Sequence, residues 1–292
     1  MKTLHEKYGL GWMRDLPDIR DYSPEHEAIK PMLKKLKVLS EPATLATKVD
    51  LRAWCSPIED QGALGSCTAN AGVGLIEFYE RKAYGVALDA SRLFLYKATR
   101  NLLGWTGDTG AFLRSTMGAM VLFGVPPEKY WPYKVADFDV EPTAFLYAFA
   151  QSYQAINYYR LDPPGTTSVN LLNQIKTNLA GNMPVMFGFT VYDSYRQAEG
   201  AGKGKIPFPC PKDKVVGGHA IVAVGYDDAM KIKNSNCGSA TTGALLIRNS
   251  WGTGWGDEGY GWLPYEYVLK GLAVDWWALL KHEYIETKKF GL

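Results

Sequence analysis

Three stretches far apart in the chain carry the side chains that thiol chemistry needs. The first is QGALGSCTANAG, residues 61–72, with Cys67 behind a glycine-containing turn and Gln61 upstream on the same loop. The second is GGHAIVAVGYD, residues 217–227, which carries His219. The third is LIRNSWGTGWGDEGYG, residues 246–261, which carries Asn249. A cysteine attacks as its thiolate, and a helix N-terminus with unpaired N–H groups favours that anion. A nearby imidazole can take the thiol proton, and a carboxamide accepting from its second nitrogen fixes ring and tautomer. Gln61, with the backbone amide of Cys67, can hold a developing oxyanion. Each signal is weak alone. A solitary buried cysteine is usually an inert small hydrophobe. A histidine inside an apolar run is usually a satisfied core residue, and an asparagine before Ser-Trp-Gly is usually a turn residue. The weight lies in their joint occurrence, in this order.

Elements of two periods must position these residues. Cys67 to about Tyr84 reads as a mostly buried helix, in which Gly72 and Gly74 imply close packing. Further helices are expected over 90–101, 111–123, 140–152 and 167–180, the second of these ended by Gly124 and Pro126-Pro127. The second half turns to short β-rich runs at 183–191, 218–227 and 244–251, with 259–268 and 275–280 extending the sheet. A helical lobe at about 48–150 followed by a β lobe at about 151–292 makes an α+β fold with a seam between the lobes. Residues 1–47 differ: they hold several prolines, many charges and no clean apolar period. They read as an extended arm with a short helix near 26–38, anchored by Trp12, Leu16, Ile19 and Tyr22.

Composition narrows the class. Thirty-two Lys+Arg against 30 Asp+Glu gives a net charge of +2, too near neutral for nucleic acid or an anionic membrane as the main partner. The four cysteines, Cys55, Cys67, Cys210 and Cys237, form no CxxC pair, so neither a zinc nor a dithiol redox motif is indicated, and no metal is expected. The start shows no apolar signal-like region, and no apolar run reaches membrane-spanning length. A cytoplasmic protein, or one exported unconventionally from a bacterium, is the expectation.

NSWGTGWGDEGYG, GGHAIVAVGYD and QGALGSCTA together resemble the papain/cathepsin family of cysteine proteases. His219 follows Cys67 by 152 residues and Asn249 follows His219 by 30, as in that family. The resemblance covers 50–133 and 183–262, and is loose over 134–182. It implies a helical left lobe, a β-barrel-like right lobe and a cleft between them. It also implies Gln61 for the oxyanion, Cys67 as nucleophile, His219 as acid/base and Asn249 as orienter. Trp251 would shield the His–Asn hydrogen bond, and Trp255 would wall the leaving-group side. Peptide or protein substrates, no cofactor and a monomer follow.

The chain departs from the family pattern in several places. Leu64 stands where a disulfide cysteine is usual, and Thr68 where a tryptophan is, which should loosen packing behind the nucleophile. No cysteine lies between Cys67 and Cys210, which points to a reducing compartment or to a helical lobe stabilised by packing alone; Cys210 and Cys237 are left either free or paired. Gly218 precedes the histidine in place of an acid or amide. Backbone binding on the helical lobe falls to Asp108, Thr109 and Gly110. The pocket for the second residue before the cut falls to Gly188, Gly217, Gly218 and Ala220, with Ala111 or Phe112 opposite. Family zymogens thread an N-terminal segment through the cleft against the substrate direction. The arm here is short, as in bacterial members, and Trp12 to Tyr22 is expected in or near the cleft as an inhibitor of its own enzyme. The reading is thus a cysteine endopeptidase with a resting thiolate–imidazolium pair. A catalytically silent binding protein and a cysteine-dependent acyl transferase are the alternatives.

Overall fold

The computed structural model describes residues 7–36, 38, 45–86 and 88–282. One seven-stranded sheet organises the C-terminal half. Its strands are β4 (Ala155–Arg160), β5 (Val185–Tyr192), β6 (Val215–Lys233), β7 (Ala240–Arg248), β8 (Tyr260–Pro264) and β9 (Ala273–His282), in the order β4-β9-β5-β6-β7-β8. All pairings among them are antiparallel. The seventh strand, β2 (Lys48–Asp50), comes from much earlier and pairs with β6 through Asp50↔Gly225. The lobes are therefore not two clean halves of the chain: its helical part begins with a strand in the β lobe. One expected β run also divides, because 260–264 is strand but Tyr265–Leu269 is a short helix that follows Pro264.

The N-terminal lobe is helical, with helices Cys67–Tyr84, Arg92–Leu102, Leu113–Leu122 and Ala144–Ala150. Helix Ser168–Ala180 belongs to the later half and packs against β6 and β5. Helix Cys67–Tyr84 lies at the centre and ends at Gly85, whose φ of 76° is the left-handed conformation glycine adopts freely. Its two interior glycines are contact points. A Cβ at Gly72 would sit 2.9 Å from the Met120 sulfur, and one at Gly74 2.8 Å from Arg248 Nη1. So the helix that begins at Cys67 rests directly on the strand end that leads into Asn249. A buried polar lock reinforces this contact. Arg248 donates to Ser56 Oγ at 2.9 Å and to the Pro57 carbonyl at 2.7 Å, and Ser56 Oγ donates to Glu77 Oε2 at 2.5 Å. Burial pushes the Glu77 carboxyl up to about 7, against the pull of Arg248.

Cys210 and Cys237 are joined as a disulfide. Formation of that bond calls for an oxidising setting, which counts against the reducing compartment inferred from the bridge-free helical lobe. Cys55 and Cys67 are free and buried. Thr68 is wholly buried.

Candidate active site

Helix Cys67–Tyr84 begins at Cys67 itself, so the sulfur sits where the helix's free amides concentrate. The register of β5 with β6 sets Phe189 opposite His219 and Gly188 opposite Ala220. The amide of Ala220, next in chain to His219, points at the Cys67 sulfur. His219 Nε2 lies 2.8 Å from Asn249 Oδ1. That oxygen can only accept, so the Nε2 proton is fixed and Nδ1 is left as the free ring nitrogen. Asn249 Oδ1 also accepts from the Ser250 amide at 2.8 Å, which fixes the carboxamide in turn. Trp251 stacks on the imidazole at 4.5 Å between centroids, and Trp255 meets Trp251 edge-on at 5.4 Å. All of these rings are buried.

Gln61 is oriented by chemistry that the sequence did not suggest. Ser250 Oγ donates to its Oε1 at 2.6 Å, so the amide nitrogen must face the cleft. There Nε2 donates to the carbonyls of Leu64 and Gly9, both at 2.9 Å. Gly9 belongs to the N-terminal arm.

The arm runs through the cleft. Tyr8 stacks on the outer side of the aromatic cluster, 4.5 Å from Trp251. Gly9 bonds the Gly62 carbonyl at 3.0 Å, and the Ala111 amide donates to the Gly11 carbonyl at 2.9 Å. The Gly11 amide points at the Cys67 sulfur. Trp12 and Met13 form β1, which pairs in parallel with β3 (Ala111–Phe112). Two arm glycines are required by this close passage: a Cβ at Gly9 would lie 2.1 Å from the Leu64 carbonyl oxygen, and one at Gly11 only 1.8 Å from that of Gly65. The Trp12 ring covers Gly188 and Gly218, where built Cβ atoms would fall 1.8 and 2.7 Å from it. Burying that side chain stabilises docking by about 2–3 kcal/mol.

The remaining expected anchors fall elsewhere. Leu16, Ile19 and Tyr22 are exposed, whereas Tyr8, Ile29 and Leu33 are buried. Between Trp12 and Tyr22 the arm is held by charge instead of apolar contact, and apolar burial resumes at Ile29 and Leu33. Arg114 pairs with Asp15, bonds Asp21 at 2.7 Å and donates to the Leu16 carbonyl at 2.7 Å. The backbone of Arg160 bonds the Tyr22 carbonyl at 2.7 Å. The short helix is Lys30–Lys35. Residues 39–44, near the end of the arm expected over 1–47, lie outside the described residues.

On the helical lobe, Asp108 accepts from the Gly65 amide at 2.9 Å and from the Tyr96 hydroxyl at 2.6 Å. Thr109 Oγ1 bonds within its own turn, and the Gly110 amide is taken by Tyr96. The amide that meets the arm is that of Ala111, one residue further on, and Gly110 stays bare because the Gly11 carbonyl would sit 2.2 Å from its Cβ. On the opposite wall Gly217 pairs with Val191, while Gly188 and Gly218 face Trp12. Sequence reasoning missed Ala111 as the donor, Ser250, and Asp275, whose Oδ2 accepts from Trp12 Nε1 at 3.2 Å. A lone acid in the apolar run AVDWWALL was the available signal for the last.

Covered by the arm, sulfur and imidazole are both out of water. Burial pushes the Cys67 thiol up to about 11, although four backbone amides oppose the shift. Burial likewise takes His219 down to about 4, with the Asn249 hydrogen bond opposing it. With the arm in place the pair is neutral, contrary to the resting ion pair expected from an open cleft.

Residues 45–269 match the model for the papain family of cysteine proteases. The chain belongs to that family. It is 31% identical over 288 residues to an uncharacterised peptidase C1-like protein of Acanthamoeba polyphaga mimivirus, covering 96% of this chain and 89% of the viral one. Among solved structures it is similar to xylellain, a cysteine protease from Xylella fastidiosa. That match has a TM-score of 0.74 and 33% identity, covering 98% of this chain and all of xylellain. The fold is shared with digestive procathepsin L 3 of Tenebrio molitor, with a TM-score of 0.59 at 22% identity, covering 82% of this chain and 71% of the other. As a papain-family member the chain is a cysteine peptidase, and its two-lobed α+β architecture is that of the family.

Proposed function

We propose that this peptidase is an endopeptidase made in a latent form, with Cys67 as nucleophile, His219 as acid/base, Asn249 as orienter and Gln61 as oxyanion donor. The thiolate of Cys67 attacks the scissile carbonyl carbon while the imidazolium of His219 holds the former thiol proton. The oxyanion is met by Gln61 Nε2 and the Cys67 amide. His219 gives its proton to the departing amine, leaving a thioester on Cys67. Water, deprotonated by His219, attacks the thioester, and the sulfur leaves as thiolate to regenerate the pair. No cofactor enters these steps.

One observation carries the latency. The Gly9 carbonyl occupies the Gln61 donor while the Gly11 amide faces the sulfur. Chain direction explains why such an arm survives. Tyr8 lies by Trp251, on the leaving-group side, and Trp12 lies over Gly188 and Gly218. A substrate cut by Cys67 runs from the second of these places to the first, so the arm runs backwards. It offers the sulfur an N–H where a substrate offers a carbonyl carbon. The arm, from Tyr8 to Tyr22, is the enzyme's own inhibitor, and peptides or proteins are its substrates.

The experiment is hydrolysis of an internally quenched peptide by the full chain carrying Gly11→Val, a change that evicts the arm. Cleavage at an internal bond that is absent in the same chain with Cys67→Ala supports the reading; binding without cleavage, or transfer of the acyl group to an added amine in preference to water, overturns it. In the same background Gln61→Ala should lower kcat by about 10²-fold with KM little changed, since the lost donor acts on the oxyanion.

A further inference from the structure

The pocket that Trp12 fills has a charged floor. Asp275 on β9 is completely buried, and its φ of 62° is a left-handed conformation unusual for a side-chain-bearing residue. Its two oxygens have different partners. Oδ1 accepts from Trp277 Nε1 at 2.8 Å and lies 3.2 Å from Arg160 Nη1. Oδ2 accepts from the indole N–H of Trp12, at 3.2 Å. Everything that holds Oδ1 belongs to the catalytic domain and stays when the arm leaves. The donor to Oδ2 leaves with the arm. A buried carboxylate oxygen stripped of its donor is costly, and an occupant that restores the donor recovers the difference.

The charges around this floor decide which donor fits. Arg160 is within 2.9 Å of Asp162 as well as 3.2 Å of Asp275. Arg114, whose guanidinium lies 5.8 Å from the Trp277 ring, pairs in the covered form with Asp15 and Asp21 of the arm. Whether or not that clamp opens, the Asp275 carboxylate is already paired with the buried Arg160 guanidinium of the catalytic domain, which a cationic side chain would have to share or displace. A lysine or arginine tip would meet Arg160 across the same carboxylate. Gly188 and Gly218 meanwhile leave room for a flat bicyclic ring, as Trp12 demonstrates.

We propose that Asp275 makes this pocket selective for an indole-sized side chain ending in a neutral N–H donor, so that tryptophan is preferred at the second position before the cut over phenyl, aliphatic and cationic side chains. The proposal rests on the reading of the cleft given above and adds the substrate class. The arm is then a reversed imprint of the substrate: its backbone opposes the productive direction, and its Trp12 side chain occupies the same pocket.

The test uses the full chain with Gly11→Val and Trp12→Ala, which clears cleft and pocket together, and measures labelling of Cys67 by mass. The probes are matched peptidyl epoxides that differ at one position: tryptophan, benzothienylalanine (the same shape, with sulfur in place of N–H), phenylalanine or arginine. The tryptophan probe should label about 10- to 100-fold faster than the benzothienyl probe, the range set by one hydrogen bond to a charged acceptor, and faster than the arginine probe. Asp275→Asn should bring the tryptophan-to-benzothienyl ratio down several-fold. Arg160 is buried against Asp275, and if that variant is too unstable to isolate, the ratio in the unaltered pocket decides the matter alone. Equal rates for the tryptophan and benzothienyl probes, or a preference for arginine, overturn the pocket assignment while leaving the peptidase reading intact. Labelling by none of the probes overturns the cleft reading, and the pocket assignment with it.

Discussion

Replacing Cys67 by serine in the chain freed of its arm should lower kcat/KM for peptide hydrolysis by on the order of 10⁵-fold or more, the scale of loss when a nucleophile that works as one unit with its base is removed. The exchange is nearly isosteric, and the backbone amides of Ala220 and Thr68 that point at the sulfur remain to meet the hydroxyl. The fold should therefore hold, with Tm shifted by no more than a few degrees. A cysteine that served only packing would give the opposite pattern, a change in stability with little change in rate. Measuring kcat/KM and Tm on the same preparations separates the two.

Gly11→Val in the otherwise natural chain should raise activity on a small peptide by about 10²- to 10³-fold, the range by which an intramolecular ligand held at high effective concentration outcompetes free substrate. The cause is steric and local. A Cβ at residue 11 would lie 1.8 Å from the Gly65 carbonyl oxygen, and Gly65 is itself tied to Asp108 at 2.9 Å, so neither side can give way. Residues 7–13 must lift off, taking the Gly9 carbonyl from Gln61 and the Trp12 ring from its pocket. The charged clamp at Arg114, Asp15 and Asp21 stays intact in this variant and keeps the arm tethered. Initial rates on a dipeptide amide for the natural and variant chains check this; equal rates would mean that the arm does not gate the site.

The chemistry-bearing residues were legible in the sequence because their types are scarce. Four histidines and four cysteines leave few combinations, and the Asn-Ser-Trp-Gly block is long and specific. The helix from Cys67 was legible from its apolar run, and its glycines rightly signalled tight contact, with Met120 and Arg248 as the partners. What was not legible depended on long-range pairing. β2 joins β6 across some 175 residues of chain, which no local period reveals. The break at Pro264 was hidden because an aromatic-rich run suits a strand or a helix equally. Trp12 apart, the arm's anchors were misassigned because apolar residues were sought, whereas Leu16 and Ile19 point to solvent and Asp15 and Asp21 hold the segment. The neutral state of Cys67 and His219 was not legible either: it follows from the cover, and residue types alone suggest an ion pair.

That last point yields the most direct test of the central claim, that a sulfur and an imidazole brought together by distant segments form the reactive pair once uncovered. The measurement is the rate of iodoacetamide alkylation of Cys67 against pH, with the site mapped by mass, in the Gly11→Val chain and in the natural one. In the uncovered chain, helix terminus and imidazolium hold the thiolate, so the rate should remain high down to about pH 5 and fall to that of an ordinary thiol when His219 is replaced by alanine. In the natural chain, where burial raises the thiol to about 11, Cys67 should stay nearly unmodified through neutral pH. An uncovered chain whose alkylation drops tenfold per pH unit below about 8.5, as for a free cysteine, or whose adduct maps to Cys55, would contradict the account.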